Sequence, residues 1–386
     1  MNYFNPKRLE LARKRRKLTG KLLAEKVGIS EVTISRLESA YNEPSPETVQ
    51  KIADVLGYPV KFFYDPNHEE IARETVSFRS LKRMTAAVRD AALGGGDIGL
   101  ILANWADKHY NLPKVDLLDL SNETDPEAAA ILLRQHWGLG EKPIPHLIKL
   151  LEAKGVRVMS FSEDTEVVDA FSFWKGNIPF ITLSYVKTAE HSRFDAAHEL
   201  GHLVLHKHGT RFNKIPCSTT IPKDLSNEKP GDRDLEREAD RFASAFLMPQ
   251  HDVLANIPYT ISADNIIRAK ARWKVSAMAL TYRLHTLKRI TDWQYRSLII
   301  ELGKRGYRKG EPEGIERETS IVWKQIFNHL WQNKQTKEYV KEQTNLPLDE
   351  IEYLMYGLLG QPLDSRDINN KNNNSTPLTV VSSSKP

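Results

Sequence analysis

Residues 193–206 read RFDAAHELGHLVLH, with His198 and His202 four positions apart and Glu199 beside the first. Four residues make about one helical turn, so on a helix both imidazoles leave the same face, one above the other. Ala197, Leu200, Leu203 and Val204 give that helix an apolar face to bury. This arrangement constrains the rest of the chain. One helix supplies two metal-type donors, and a catalytic zinc site needs a third protein ligand from elsewhere, with the fourth position left for water. Glu199 then lies beside the metal rather than on it, where it can take a proton from bound water.

The third ligand is sought in LEREADRFASAFLMP, where Glu236 follows His202 by 34 residues. Glu236 and Asp240 are one turn apart on one helical face, while Glu238 points elsewhere. With Glu236 as ligand, Asp240 can bond the outer nitrogen of a ligand histidine, which completes the support of the site. Glu238 as ligand leaves Asp240 without that role, so Glu236 is preferred. His206 lies one more turn along, and helical drift carries it away from an ion held by the first pair. It reads as a structural or supporting histidine. Cys217 is the single cysteine; it excludes an intrachain disulfide and a thiolate zinc cage.

The formal net charge is +5, and its placement matters more than its size. Residues 1–64 hold twelve Lys/Arg against seven Asp/Glu, and the remainder holds 43 of each. All the positive excess lies in one N-terminal block, which points to a polyanionic partner, most simply double-stranded DNA. No run of eighteen apolar residues occurs, and MNYFNPKRLE lacks the apolar core of a signal peptide. With one cysteine, these features predict a soluble cytoplasmic protein with no membrane partner.

A chain of 386 residues exceeds one compact core and predicts several domains. Residues 1–64 divide into short helical periods. Gly28 supplies a turn, Ser30 caps EVTISRLES, and Ser45 with Pro46 opens SPETVQKIADVLG. Residues 65–124 read as a helical connector whose first helix breaks at Gly94–Gly96. Residues 125–260 read as an α+β unit: a helix opened by Asp125, a helix ending at Gly155, strands in VRVMSF, DAFSFW and PFITLS, then the two helices of the metal site. An irregular segment at 207–232 separates those helices. Residues 261–363 are helical, and the Asn/Ser-rich tail, 364–386, reads as disordered.

Three blocks in order, DAFSFW…PFITLS, SRFDAAHELGHLVLH and EREADRFASAFLMP, make residues 125–300 resemble the ImmA/IrrE metallopeptidases. The resemblance implies a gluzincin-like fold and an endopeptidase that cleaves a repressor or antitoxin-like protein to release stress, phage or mobile-element genes. Matched by position, His198 and His202 fall on the zinc histidines, Glu199 on the general base and Glu236 on the glutamate ligand. Asp240 falls where the family carries Asn or Asp. The PKDLSNEKPGD insertion between the ligand helices departs from the family pattern. His191, Tyr185, His251 and Tyr259 are open candidates for stabilising the oxyanion, and DAFSFW is a candidate edge for an extended substrate.

LARKRRKLTGKLLAEKVGISEVTISRLESAYNEPSPETVQKIADVLG resembles a Cro-type (XRE family) helix-turn-helix. In that fold the second motif helix enters the major groove. The expected surface is Ser30, Glu31, Val32, Thr33, Ser35 and Arg36, with Val32 placed to meet a thymine methyl. Lys7, Arg13, Arg15, Arg16 and Lys21 are phosphate candidates. Gly20 and Lys21 stand where the family often has Gln. RWKVSAMALTYRLHTLKRI (272–290) has a similar cadence and reads as a structural or substrate-docking unit. Cro-type heads read paired half-sites, which makes a homodimer an expectation.

The expected whole is multidomain: an all-α helix-turn-helix head, an α+β gluzincin-like metallopeptidase domain and a helical C-terminal region. The competing expectation is a helix-turn-helix transcription factor whose zinc site is structural or metal-sensing, without proteolysis.

Overall fold

The computed structural model describes residues 3–67, 71, 85–161, 170–206, 230–355, 357–359 and 378–381. The head begins with α1 (Pro6–Arg15), α2 (Gly20–Val27), α3 (Glu31–Glu38) and α4 (Pro46–Leu56), closed by a 3₁₀ turn at Val60–Tyr64. Each helix start carries a side-chain cap. Thr19, Ser30 and Ser45 accept the backbone N–H of Leu22, Thr33 and Thr48, satisfying donors that a helix leaves unpaired. Gly28 ends α2 at φ 77°, a left-handed position that glycine takes without strain. Leu9, Leu23, Ile34, Leu37, Ile52 and Phe62 close the head's core.

The expected break at Gly94–Gly96 does not occur: α5 (Ala86–His109) runs through it. These glycines serve close packing. A Cβ at Gly96 would lie 2.5 Å from Ile71 Cδ1, and one at Gly99 would lie 2.5 Å from Met159 Sδ. Gly94 abuts Leu11 and Arg15 of the head. The bare helix face lets α5 lie between α1 and the sheet of the next unit, and burial of that face outweighs glycine's poor helix propensity. The connector's residues 68–70 and 72–84 lie outside the described residues.

Next come α6 (Pro126–His136), capped by Asp125, and α7 (Leu147–Ala153). Three strands follow: β1 (Arg157–Phe161), β2 (Ala170–Lys175) and β3 (Ile178–Ser184). Their order is β1-β3-β2, with β3 parallel to β1 and antiparallel to β2. A hairpin turn with Gly176 at φ 55° joins β2 to β3. The opening stretch of the sequence folds as α8 (Ala189–Leu205), and the carboxylate-bearing stretch as α9 (Pro230–Leu247). These two helices pack tightly against each other at Gly201. A Cβ at Gly201 would meet Phe242 at 3.0 Å and the Ala239 backbone at 3.3 Å. Trp174 of β2 donates its indole N–H to Leu203 O, pinning the sheet to α8 at 3.1 Å. Residues 230–232, expected to be irregular, are the first of α9; residues 207–229, with Cys217, lie outside the described residues.

The remaining helices are α10 (Gln250–Asn256), α11 (Ala263–Trp273), α12 (Ala277–Thr286), α13 (Asp292–Lys304), α14 (Ile321–Gln332), α15 (Lys337–Thr344) and α16 (Leu348–Leu354). Within 272–290, spacing along the helix suggests Leu280, Leu284 and Leu287 as core; Leu280 and Leu284 are buried, and Leu287 is half-buried against the core. The irregular segment before α14 is tied to α8: Ile315 N–H donates to Glu190, and Glu318 pairs with Arg193. The tail is not wholly irregular. Val380 bridges Tyr110, and the Asn111 and Val381 N–H groups bond Thr379 O and His109 O, while Leu378 packs against the core. Residues 360–377 and 382–386 lie outside the described residues. Among the described residues, no helix is long and apolar enough to cross a membrane.

Candidate metal centre and DNA-facing surface

α8 presents His198 and His202 on one face, as their spacing requires, and α9 brings Glu236 to the same point. One ligand atom from each of the three lies within 4.8 Å of the others. The two Nε2 atoms are 3.0 Å apart, and Glu236 approaches them at 3.2 and 3.6 Å. Both Nε2 atoms therefore face the cluster, and both Nδ1 atoms face outward. His198 Nδ1 meets Asp240 Oδ1 at 2.8 Å, and His202 Nδ1 meets His206 Nδ1 at 2.9 Å. Glu238 sits off the cluster, 3.0 Å from His206 Nε2. The i, i+2, i+4 series on α9 thus divides its carboxylates: Glu236 faces both Nε2 atoms, Glu238 faces His206, and Asp240 faces the outer nitrogen of His198.

The electrostatics suit a cation. Burial lowers His198's proton affinity, but hydrogen bonds to Asp240 and Glu236 overcome it and raise the group to about 10. Burial, with His198's charge nearby, lowers His202 to about 4 despite Glu236. Glu236 would be raised by burial, yet the two histidines hold it well below the usual carboxylate range. The pocket gathers a carboxylate and two imidazoles whose Nε2 atoms face one point. Two imidazoles and one carboxylate at this separation are a donor set that a divalent ion of the zinc type fits.

Glu199 is 4% exposed, and burial raises its carboxyl to about 7 against the opposing pull of His198 and a hydrogen bond from Ser172. That Ser172 hydroxyl, on β2, donates to Glu199 Oε2 at 2.6 Å. Little in the sequence marks Ser172. Its one available signal was the alternation of AFSFWK, which turns Ser172 to the same sheet face as Trp174. Of the open oxyanion candidates, Tyr185 bonds Glu318 O at 3.3 Å, His191 faces Lys187 at 3.2 Å, and Tyr259 is 89% exposed. None of these contacts brings them to the cluster.

On the head, Ser30, Glu31, Val32, Ser35, Arg36 and Lys21 are exposed and Thr33 is half-buried, so the face of α3 is open. Three of the phosphate candidates are otherwise engaged. Arg13 is bidentate to Glu38 at 2.6 and 2.8 Å. Arg15 bonds Glu350 at 2.9 Å, and Arg16 bonds Asp349 at 2.7 Å. Their charge is spent on the head's own core and on α16, because α1 is the head's docking helix.

Comparison with known proteins agrees with these two regions. Residues 9–63 match the helix-turn-helix family model, and residues 151–285 match the model of the IrrE N-terminal-like domain, a peptidase M78 family. No curated protein matches the chain. The polypeptide thus joins a head similar to XRE-type helix-turn-helix domains to a domain similar to the IrrE/ImmA-like M78 peptidase family.

Proposed function

We propose that this chain is a cytoplasmic, DNA-binding regulator whose IrrE-like domain is a zinc endopeptidase. Its substrate on this reading is a transcriptional repressor or antitoxin-like protein that controls stress, phage or mobile-element genes. The observation that carries the proposal is the convergence of His198, His202 and Glu236 within 4.8 Å, with a buried Glu199 alongside. Three protein ligands leave a coordination position open, which is the catalytic rather than the structural pattern. The helix pair beneath the small sheet is then a gluzincin-like core.

When bound, zinc supplies a Lewis acid that polarises a carbonyl and makes water nucleophilic near neutral pH. The chain's own residues do the rest. Glu199 takes the proton and returns it to the departing amine. Ser172 holds one Glu199 oxygen and leaves the other for the proton. Asp240 fixes the His198 ring so that Nε2 faces the ligand cluster. Among the described residues β2 is an edge strand of the sheet, a surface on which an extended peptide can add main chain to main chain. On the head, Ser30, Glu31, Val32, Thr33, Ser35 and Arg36 enter the major groove, and Lys21 meets phosphate.

The competing reading, a metal-sensing transcription factor without proteolysis, draws support from the buried Arg15–Glu350 pair that ties the head to the C-terminal region. One experiment separates them. Small helix-turn-helix proteins encoded beside the gene are incubated with the zinc-loaded full chain and read by intact mass. The wild type should yield two fragments of one of them and Glu199→Gln none. Equal cleavage by both would contradict the mechanism, and a metal sensor would cleave nothing while its DNA affinity followed the metal.

A further inference from the structure

The two candidate ligand histidines are held differently, and the difference has a direction built into it. Both offer Nε2 to the cluster, so as neutral ligands both carry their proton on Nδ1. His198 donates that proton directly to a carboxylate, Asp240. His202 has no carboxylate at its Nδ1; it meets another Nδ1, that of His206, at 2.9 Å. Two ring nitrogens can share a hydrogen bond only if one is bare. His202 must donate, so His206 Nδ1 must accept, and the His206 proton must sit on Nε2. There it finds Glu238 Oε2 at 3.0 Å. Every link of the chain is fixed once the first is.

The surroundings hold this arrangement in place. His206 closes α8, its backbone N–H bonded to His202 O at 3.0 Å, so ring and backbone are both tied to the same residue. Its side chain is 8% exposed, and Glu238 of α9 meets its Nε2 at 3.0 Å. We infer that His206 and Glu238 are a positioning pair for His202, an imidazole–carboxylate relay that locks the ligand's tautomer and ring angle where His198 uses a carboxylate alone. This rests on the reading of His198, His202 and Glu236 as metal ligands. It also explains why Glu238, two residues from Glu236, is not a ligand: it is committed to His206.

The test is zinc affinity of the full chain, by competition with a chromophoric chelator. In Asn the amide oxygen sits where histidine carries Nδ1, and in Gln it sits nearer Nε2. His206→Phe and His206→Gln should therefore weaken zinc binding about 10- to 100-fold, whereas His206→Asn should stay within about 3-fold of wild type. Wild-type affinity in both the Phe and the Gln variants would overturn the relay. If the Phe variant does not fold, the Asn-against-Gln contrast decides, and equal affinities would again overturn it. In the zinc-loaded wild type, imidazole ¹⁵N shifts should show His206 protonated on Nε2; protonation on Nδ1 contradicts the relay. A wild type that takes up no zinc removes the metal-site reading and the relay together, whereas tight wild-type binding unaffected by His206 removes the relay alone.

Discussion

The guanidinium of Arg15 and the carboxylate of Glu350 meet at 2.9 Å across 335 residues of sequence, with side chains 6% and 2% exposed. Tyr58 donates its hydroxyl to the other Glu350 oxygen at 3.0 Å, and Tyr353 covers the Arg15 guanidinium at 4.1 Å. The head is thereby docked on α16 through its first helix, leaving α3 open.

A buried pair is costly to break from one side, since the remaining charge stays buried without its partner. Glu350→Ala should destabilise the chain by about 3–5 kcal/mol. In scanning calorimetry the head should melt first, as a separate transition. A single transition at the wild-type temperature would show that the pair does not hold the head.

The same contacts sort the basic residues of the head. Arg36→Ala should weaken binding to a duplex selected by the full chain by about 1–3 kcal/mol and relax its sequence preference. Lys21→Ala should weaken all sequences alike and lower the salt dependence by about one phosphate contact. Arg13→Met should leave that salt slope unchanged, because Arg13 is held by Glu38. Fluorescence anisotropy over a salt series measures all three, and a slope lost with Arg13 rather than Lys21 would refute the assignment.

Glu152 offers a test by pH. Burial raises its carboxyl to about 7, against hydrogen bonds from Ser320 and from the Ile321 and Val322 N–H groups at the start of α14. Unfolded, the group titrates near 4.5. The folded state therefore holds the extra proton between about pH 4.5 and 7, and this contribution to stability falls as pH rises through that interval. Glu152→Gln keeps an acceptor and cannot ionise. Its stability relative to wild type should improve by about 2–3 kcal/mol from pH 4.5 to pH 8 in urea unfolding. A constant difference between the variants would contradict this.

What the sequence revealed followed the range of the interaction. Helical spacing alone put His198 and His202 on one face and separated Glu236 and Asp240 from Glu238, because those relations lie within one or two turns. The caps at Ser30 and Ser45 and the turn at Gly28 were legible for the same reason. Ser172 was not, since its contact with Glu199 joins a strand to a helix 27 residues on. Arg15 and Arg16 looked like phosphate ligands because charge counting does not distinguish a solvated face from a docked one. Gly94–Gly96 looked like a break because glycine's local preference is visible in sequence, whereas the neighbours Ile71, Phe171 and Arg15 that require its small size are not.

The central claim concerns an ion held by side chains from α8 and α9, and its most direct measurement is the zinc content per chain. Full-length protein is equilibrated with zinc, desalted and read by native mass spectrometry. Wild type and Glu199→Gln should each carry one ion, and His202→Ala and Glu236→Ala should carry none. A wild type without zinc, or full occupancy after Glu236→Ala, would contradict the account.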